Sequence, residues 1–177
     1  PMTALVYGGA ASGKSGYGEQ LACSLPKSGE LVYLATMEPF GQEAAERILR
    51  HRQQRAGKGF LTVERPRDLS GCPIPPGSTV LLEDLGNLAA NELFGEERPD
   101  LEGAFRRIQA GLASVQKQSE HLVVISNDIH RDGVGYPPET ECYLDLLSRL
   151  HQELAAQADL VVEVVCGLPV FWKGGWG

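Results

Sequence analysis

The sequence predicts an α/β domain in which helices cover both faces of a mainly parallel β-sheet. Short apolar runs alternate along the chain with longer segments of helical periodicity, a pattern typical of parallel strands joined by crossover helices. Several of the apolar runs are continuous Val, Leu and Ile, as expected for strands that are buried on both faces. We therefore expect a single three-layer domain over residues 1–177.

The expected elements follow one another in a regular order. Strands are predicted at residues 4–7, 31–35, 61–63, 79–82, 122–126 and 160–165, with a short terminal strand at 170–173. Helices are predicted at residues 16–25, 42–54, 85–94, 101–118 and 139–157. Ligands of such sheets bind beyond the carboxyl ends of the strands, so the residues that follow the strands are the first candidates for a site.

A complete phosphate-binding motif, G-x-x-x-x-G-K-S, follows the first predicted strand and precedes a predicted helix. It occupies the consecutive positions Gly8, Gly9, Ala10, Ala11, Ser12, Gly13, Lys14 and Ser15. Small residues let the backbone N–H groups turn inward around a polyphosphate, and the helix N-terminus adds positive potential. Lys14 is expected to reach the β- and γ-phosphates, and Ser15 to bind Mg²⁺ through its hydroxyl. The motif predicts a P-loop NTPase-like domain that binds a nucleoside triphosphate.

Two acidic residues, Glu83 and Asp84, end the apolar run at residues 79–82. Phosphate-loop enzymes need such an acid near Mg²⁺, at a strand end that faces the phosphates. Glu83 is the first candidate for this catalytic and metal-binding role, and Asp84 is the second. Asp128 follows the run at 122–126 in the same way and competes with them. Capping of a helix, or simple solvation, is the alternative role for each of these acids.

The predicted helix at residues 42–54 carries a basic edge. Arg47, His51 and Arg55 lie at positions i, i+4 and i+8, beside an apolar arc of the same helix. A neutral imidazole is a nucleophile, and arginines hold phosphates through paired hydrogen bonds. From the spacing alone, a solvated basic edge with an incidental histidine is the preferred interpretation.

The other histidines and the cysteines carry weaker signals. His121 precedes a predicted strand and is expected at the surface, whereas His151 is expected at a helix surface or in a packing contact. His130 and the Gly- and Pro-rich loop at 132–138 are candidates for ligand contact. The four cysteines show no C-x-x-C spacing, which argues against zinc or a disulfide framework, and Cys166 is expected in the core.

Composition and charge narrow the choice of partners. A chain of 177 residues with 42% hydrophobic residues can bury one full core. The net charge of −7 argues against nucleic acid as the main partner. No apolar stretch approaches the ~20 residues that span a bilayer. No signal segment is evident at the start, so a cytoplasmic location is the default expectation.

Taken together, these segments resemble the bifunctional adenosylcobinamide kinase / adenosylcobinamide-phosphate guanylyltransferase family of cobalamin biosynthesis. Residues 8–15 resemble the family's Gly-Gly-Ala-Arg-Ser-Gly-Lys-Ser loop, and residues 33–36 resemble its Tyr-Ile-Ala-Thr strand end. Residues 43–52 match the helix that carries the guanylylated histidine of the family, and that match falls on His51. Further similar segments lie at 81–83, 91–94, 154–159 and 167–169, so the resemblance covers nearly the whole chain.

The resemblance implies a two-step enzyme with Mg²⁺ as cofactor and ATP and GTP as substrates. A kinase step would phosphorylate the side-chain hydroxyl of adenosylcobinamide. His51 would then attack the α-phosphorus of GTP and hold GMP as a phosphoramidate until the corrinoid phosphate takes it, giving adenosyl-GDP-cobinamide. The implied partners are the nucleotides, the corrinoid and further copies of the chain in a homotrimer, without nucleic acid. The implied site comprises the loop at 8–15 with His51, Arg47, Arg52, Glu64 and Glu83, of which His51, Lys14 and Glu83 are catalytic.

The sequence departs from the family pattern at several positions. Ala11 replaces a common arginine, Asp84 a common cysteine and His151 a usual asparagine. Residues 127–137 form a longer and differently charged version of the family's Asn-Glu-Val-Gly loop. Two of these changes lie where a corrinoid is expected to bind. A kinase without guanylyl transfer and a nucleotide-binding regulatory protein therefore stay open as alternatives.

Overall fold

The computed structural model describes residues 1–38, 41–95, 97–129 and 136–176. Its strands are β1 (Met2–Gly8), β2 (Leu31–Ala35), β3 (Phe60–Glu64), β4 (Ser78–Glu83), β5 (Ser119–Asn127), β6 (Leu160–Val165) and β7 (Leu168–Lys173). Its helices are α1 (Lys14–Ser24), α2 (Gly41–Arg55), α3 (Leu85–Phe94), α4 (Leu101–Gln118) and α5 (Pro138–Gln157), with a 3-10 turn at Leu69–Gly71. Every predicted strand and helix is present, and only the boundaries differ, by a few residues.

The described strands form one sheet in the order β3-β2-β4-β5-β1-β6-β7. Neighbouring strands are parallel except for β6 and β7, which form an antiparallel hairpin at one edge. The predicted α/β class with a mainly parallel sheet is therefore confirmed. Strands from both ends of the chain share this sheet, and a single domain over residues 1–177 stays a prediction.

Two buried hydrophobic clusters, one on each face of the sheet, hold the layers together. Leu5 and Val124 point into the cluster beneath α3, α4 and α5. Their strand neighbours Val6 and Val123 point the other way, into the cluster beneath α1. Because both faces are covered, the central strands have no solvent-facing side, which explains their continuous apolar runs.

The prediction that His121 lies at the surface is wrong. Strand β5 begins at Ser119, earlier than predicted, so His121 lies inside the sheet and is buried. Its Nδ1 accepts a hydrogen bond from the backbone N–H of Met2 at 3.0 Å, and its Nε2 lies 2.8 Å from the carbonyl oxygen of Pro26. Both ring nitrogens of His121 therefore contact backbone groups, one of them at the start of β1.

The prediction that Cys166 lies in the core is also wrong. The apolar run ends at Val165, and Cys166 is exposed because it forms the turn between β6 and β7 together with Gly167. Both turn residues have positive φ, 49° and 78°, as tight two-residue hairpins require. Like Cys166, the cysteines Cys23, Cys72 and Cys142 are free thiols.

His151 of α5 lies in a polar cluster near the carboxyl end of the sheet. Its Nε2 is 2.6 Å from the Oγ of Ser126, and its ring packs against Tyr7 with the ring centres 5.7 Å apart. Burial lowers the pKa of His151 from 6.5 to about 4, although the nearby Asp128 carboxylate acts in the opposite direction. The side chain is thus in a packing contact and neutral near pH 7.

The His151→Asn variant is expected to lose part of the acid sensitivity of folding. Because the folded-state pKa lies below the unfolded value, the unfolded chain binds the extra proton. The free energy of unfolding therefore falls as the pH drops from about 6.5 to about 4. A shift of this size corresponds to about 3 kcal/mol. Urea denaturation of both proteins across this pH range measures the effect.

The quantity to compare is the difference in free energy of unfolding between wild type and His151→Asn at each pH. Asp84 titrates in the same pH range, and its effect on stability has the opposite pH dependence. Burial raises the pKa of Asp84 to about 6, so its contribution to stability is lost as the pH rises. This contribution is common to both proteins and cancels in the difference. Identical pH slopes for wild type and His151→Asn would contradict the assignment.

Candidate functional site

The phosphate loop connects the end of β1 to the start of α1. Gly13 is the N-cap of α1 and has a left-handed φ of 94°, which favours glycine. A Cβ atom on Gly8 would lie 2.5 Å from the Oγ of Ser12, so this position also excludes a side chain. The Ser12 carbonyl oxygen accepts a hydrogen bond from the backbone N–H of Gly167 at 2.7 Å, so the β6–β7 turn supports the loop from outside.

The hydroxyl and carboxylate predicted to bind Mg²⁺ are in direct contact. Ser15 Oγ donates a hydrogen bond to Glu83 Oε2, although 68 residues separate the two in the sequence. Tyr33 OH donates to Glu83 Oε1 at 2.5 Å. Burial and the Glu83 carboxylate raise the pKa of Tyr33, so its hydroxyl stays protonated and donates. Lys14 Nζ donates to the carbonyl oxygen of Gly9 at 3.1 Å, across the loop.

Asp84, the second candidate for the metal, is the N-cap of α3. Its Oδ1 accepts a hydrogen bond from the backbone N–H of Asn87 at 2.6 Å. Thr36 Oγ1 donates to the Asp84 carbonyl oxygen at 2.7 Å and accepts from the Asp84 N–H at 2.8 Å. Asp84 therefore takes the helix-capping role that the sequence left open as its alternative, while the adjacent Glu83 contacts Ser15.

Asp128, the competing candidate, lies on the other side of the loop. Its backbone N–H donates to the carbonyl oxygen of Gly8 at 3.1 Å. Burial and the carboxylates of Glu163 and Asp128 raise the pKa of Tyr7, and the Asp128 carboxylate also opposes the lowering of the His151 pKa by burial. The acid that the structure brings to Ser15 is therefore Glu83. His130 and most of the loop at 132–138 lie outside the described residues.

His51 lies where two cavities meet. The loop cavity has a volume of about 470 Å³ and is bordered by Ala11, Ser12, Gly13, Lys14, Ser15, Gly16, Glu19, His51 and Lys58. The inner cavity lies between α2 and the ends of β2, β3 and β4, and its border includes His51, Arg52, Arg55, Glu64, Glu83 and Asp84. The structure thus brings the candidate nucleophile next to both the phosphate loop and the acidic strand end.

The predicted arginines and Glu64 occupy different positions. Arg52 forms an ion pair with Glu64 at the end of β3, and both border the inner cavity. Arg47 is about half exposed and pairs with Glu43 on the same helix at 3.8 Å. Arg47 is absent from the described residues that border either cavity. The structure therefore brings Arg52 and Glu64 to the inner cavity, whereas Arg47 is half exposed and lies one helical turn before His51.

The sequence pattern includes Arg55 in the basic edge of the helix, but the predicted site does not contain it. It is buried, and its guanidinium carbon lies 3.3 Å from the centre of the Tyr33 ring. Its Nε and Nη1 have no hydrogen-bond partner in the described part of the chain. Its i+8 position on the edge that carries His51 is the sequence signal that pointed to it.

Glu19 and Lys58 were missed entirely, although both border the loop cavity. Lys58 Nζ lies 2.7 Å from Glu19 Oε2, and the Glu19 side chain is buried. Glu19 follows Ser15 by one helical turn on α1, which places it on the same face as the loop's last residue. No sequence pattern pairs it with a lysine beyond the next helix.

Two negative findings apply to the described residues. Their His, Cys, Asp and Glu side chains form no group of three or more arranged to hold a metal ion. Nor does any described helix combine the length and apolar character needed to cross a membrane.

Comparison with known proteins places this geometry in a family. A family model described as cobinamide kinase / cobinamide phosphate guanyltransferase matches residues 4–171. The chain is 35% identical over 185 residues to the bifunctional adenosylcobalamin biosynthesis protein CobU of Escherichia coli K12 and 33% identical over 185 residues to that of Salmonella typhimurium. Each alignment covers 96% of this chain and 98% of the relative.

A third relative and one solved structure extend the comparison. The chain is 31% identical over 180 residues to the bifunctional protein CobP of Pseudomonas aeruginosa, covering 98% of both chains. The crystal structure of the flagellar accessory protein FlaH from Methanocaldococcus jannaschii shares the fold, with a TM-score of 0.50 at 10% identity over 99% of this chain and 82% of that one. With the family model matching almost the whole sequence, this chain belongs to the cobinamide kinase / cobinamide phosphate guanyltransferase family.

Proposed function

We propose that this chain phosphorylates cobinamide and then transfers GMP from GTP to the resulting phosphate through a covalent GMP on His51. The observation that carries this proposal is the position of His51 between the loop cavity and the inner cavity. A nucleotide with its phosphates in the loop cavity would have its phosphate chain beside the imidazole. Membership of an enzyme family argues against the regulatory-protein alternative.

In the kinase reaction, the loop holds the triphosphate of ATP or GTP. Its backbone N–H groups and Lys14 bind the β- and γ-phosphates, and the N-terminus of α1 adds positive potential. Ser15 and Glu83 present hard oxygen donors side by side, a set that fits Mg²⁺ and would hold it together with the nucleotide. When bound, Mg²⁺ neutralises charge on the transferring phosphoryl group.

In the guanylyl reaction, a ring nitrogen of His51 attacks the α-phosphorus of GTP. A phosphorus–nitrogen bond forms, the bond from the α-phosphorus to the bridging oxygen breaks, and pyrophosphate leaves with the electron pair. A phosphate oxygen of cobinamide phosphate then attacks the same phosphorus and displaces the imidazole. The covalent intermediate replaces one difficult transfer with two easier ones.

Residues around the inner cavity, which is small at about 40 Å³, are assigned the remaining nucleotide contacts. Arg55 borders this cavity with its guanidinium stacked on Tyr33, and we assign its positive charge to attracting the nucleotide phosphates. Arg52 and Glu64 border the same cavity, and we assign them to nucleotide binding as well. Arg47, which is half exposed and pairs with Glu43, stays a prediction for nucleotide binding. The cytoplasmic location stays a prediction.

GTP labelled at the α-phosphate is expected to label the protein covalently, and the His51→Asn variant is expected to remove that label. The bond would be a phosphoramidate, which is labile in acid and stable in base. Denaturing electrophoresis after incubation with Mg²⁺ and GTP measures the label. The His151→Asn variant is the matched control and should label like wild type. If the folded wild-type protein bound GTP without becoming labelled, the guanylyl transfer would be contradicted and only the kinase activity would remain.

The Glu83→Gln variant is expected to lose cobinamide phosphorylation by about a hundredfold, the loss typical when one electrostatic contact to a transferring group is removed. The substitution keeps the shape of the side chain but removes the charge beside Ser15. Steady-state phosphorylation of cobinamide by ATP measures the loss. Asp128→Asn is the matched comparison. If Asp128→Asn lost most of its phosphorylation activity while Glu83→Gln stayed active, Asp128 and not Glu83 would be the acid of the kinase reaction.

We also propose that β7 joins copies of the chain into the homotrimer that the family resemblance implies. Every residue of β7 is exposed, including Leu168 at 69% and Trp172 at 64%. An apolar edge strand of this kind is typical of a surface that another chain covers. The strand also adjoins the turn that supports the phosphate loop, so assembly would hold that turn in place.

The Trp172→Lys variant is expected to shift the protein from trimer to monomer, since a charge on this strand opposes burial in an interface. Light scattering coupled to gel filtration gives the mass. Leu61→Lys, on the opposite edge strand and 46% exposed, is the matched control and should leave the mass unchanged. A monomeric wild type would contradict the proposed assembly.

A further inference from the structure

We infer that Glu19 and Lys58 form a docking pair that holds the helix of His51 over the phosphate loop. The inference rests on the proposed guanylyl transfer and extends it to two residues outside the assigned site. Neither residue is proposed to touch the reacting atoms. Their role is to position the nucleophile.

The need for such a pair follows from how little of α2 is buried. Apart from the half-buried Ile48 and His51 and the buried Arg55, its described side chains are exposed, and Leu49 is 55% exposed. A helix without a broad apolar face gains little from hydrophobic packing, so a few polar contacts decide its placement. These contacts concentrate at its C-terminal end.

The pair itself is anchored in α1. The Glu19 side chain is only 4% exposed, and its Oε2 lies 2.7 Å from Lys58 Nζ. A carboxylate at this depth is costly unless it is paired, so it holds its lysine firmly. The Lys58 side chain is 43% exposed, and its ammonium group approaches Glu19 from the side of the loop cavity.

The turn after α2 fixes Lys58 relative to the helix. Lys58 lies between Gly57 and Gly59, whose φ angles of 80° and 83° are left-handed and reverse the chain into β3. Its backbone N–H donates to the carbonyl oxygen of Arg55, the last residue of α2, at 3.0 Å. This hydrogen bond ties the backbone of Lys58 to the end of the helix.

The ion pair links the two helices that must cooperate in guanylyl transfer. Helix α1 begins with Lys14 and Ser15 of the phosphate loop, and α2 carries His51. Glu19, Lys58 and His51 border the same loop cavity. Holding Lys58 on Glu19 therefore fixes the distance between the imidazole and the phosphates in the loop. A misplacement of about 1 Å can cost a reaction about a hundredfold.

The test compares Glu19→Gln, Lys58→Met and the double variant with wild type. We expect each single variant to slow His51 labelling by GTP about tenfold or more, through the maximal rate rather than the GTP concentration for half-saturation. Cobinamide phosphorylation by ATP, which does not use His51, should fall by a smaller factor. The double variant should label no more slowly than either single variant, because the two residues act as one unit.

Two further variants keep the test informative. Lys58→Arg retains a cation for Glu19 and should restore labelling. Lys117→Met, an exposed lysine in the last turn of α4, controls for the loss of a surface charge and should label like wild type. Thermal denaturation checks that each variant is folded. If Lys58→Met fails to fold, Glu19→Gln and Lys58→Arg still decide the matter.

Two outcomes would overturn the docking pair. Unchanged labelling in Glu19→Gln and Lys58→Met would remove the role altogether. Equal losses of labelling and phosphorylation would mean that Lys58 acts on phosphates used by both reactions instead of positioning His51. A wild type that does not label would defeat the proposed function itself, and that result is visible before any variant is made.

Discussion

The contact between Ser15 and Glu83 is the interaction on which the rest of the site depends. The serine belongs to the first turn of α1, the glutamate ends β4, and Tyr33 of β2 holds the other carboxylate oxygen. These three segments meet because the carboxyl ends of parallel strands lie at one edge of the sheet. The sheet, buried on both faces, thereby fixes a hydroxyl and a carboxylate beside the phosphate loop before any nucleotide binds.

Helix α2 differs from this buried part of the site, because most of its described side chains are exposed. The loop and Glu83 rest on strands in the middle of the core, whereas His51 rests on a helix held by polar contacts at one end. In the proposed mechanism, the kinase reaction uses only the loop and Glu83, and guanylyl transfer uses His51 as well. Under this proposal, the division accounts for a phosphate-loop kinase and a covalent nucleotidyl transfer in one chain.

The sequence predicted the elements and the loop because these depend on local patterns. It ranked Glu83 ahead of Asp84 and Asp128, but only the structure shows which of these strand ends meets α1. His121 and Cys166 were misplaced because strand ends are set by pairing with neighbours, which apolar runs do not reveal. The Glu19–Lys58 pair joins residues 39 apart on separate elements, and no periodicity indicates it. The role of His51 as nucleophile was predicted from the family resemblance, whereas its spacing on the helix alone favoured a solvated basic edge.

The central claim is that His51 carries GMP, and a crystal structure of the protein soaked with GTP and Mg²⁺ tests it most directly. The account predicts continuous density from a ring nitrogen of His51 to the α-phosphorus of GMP, with the phosphate loop beside the nucleotide. Intact GTP seated in the loop cavity, with the His51 ring turned away from the α-phosphorus, would contradict it.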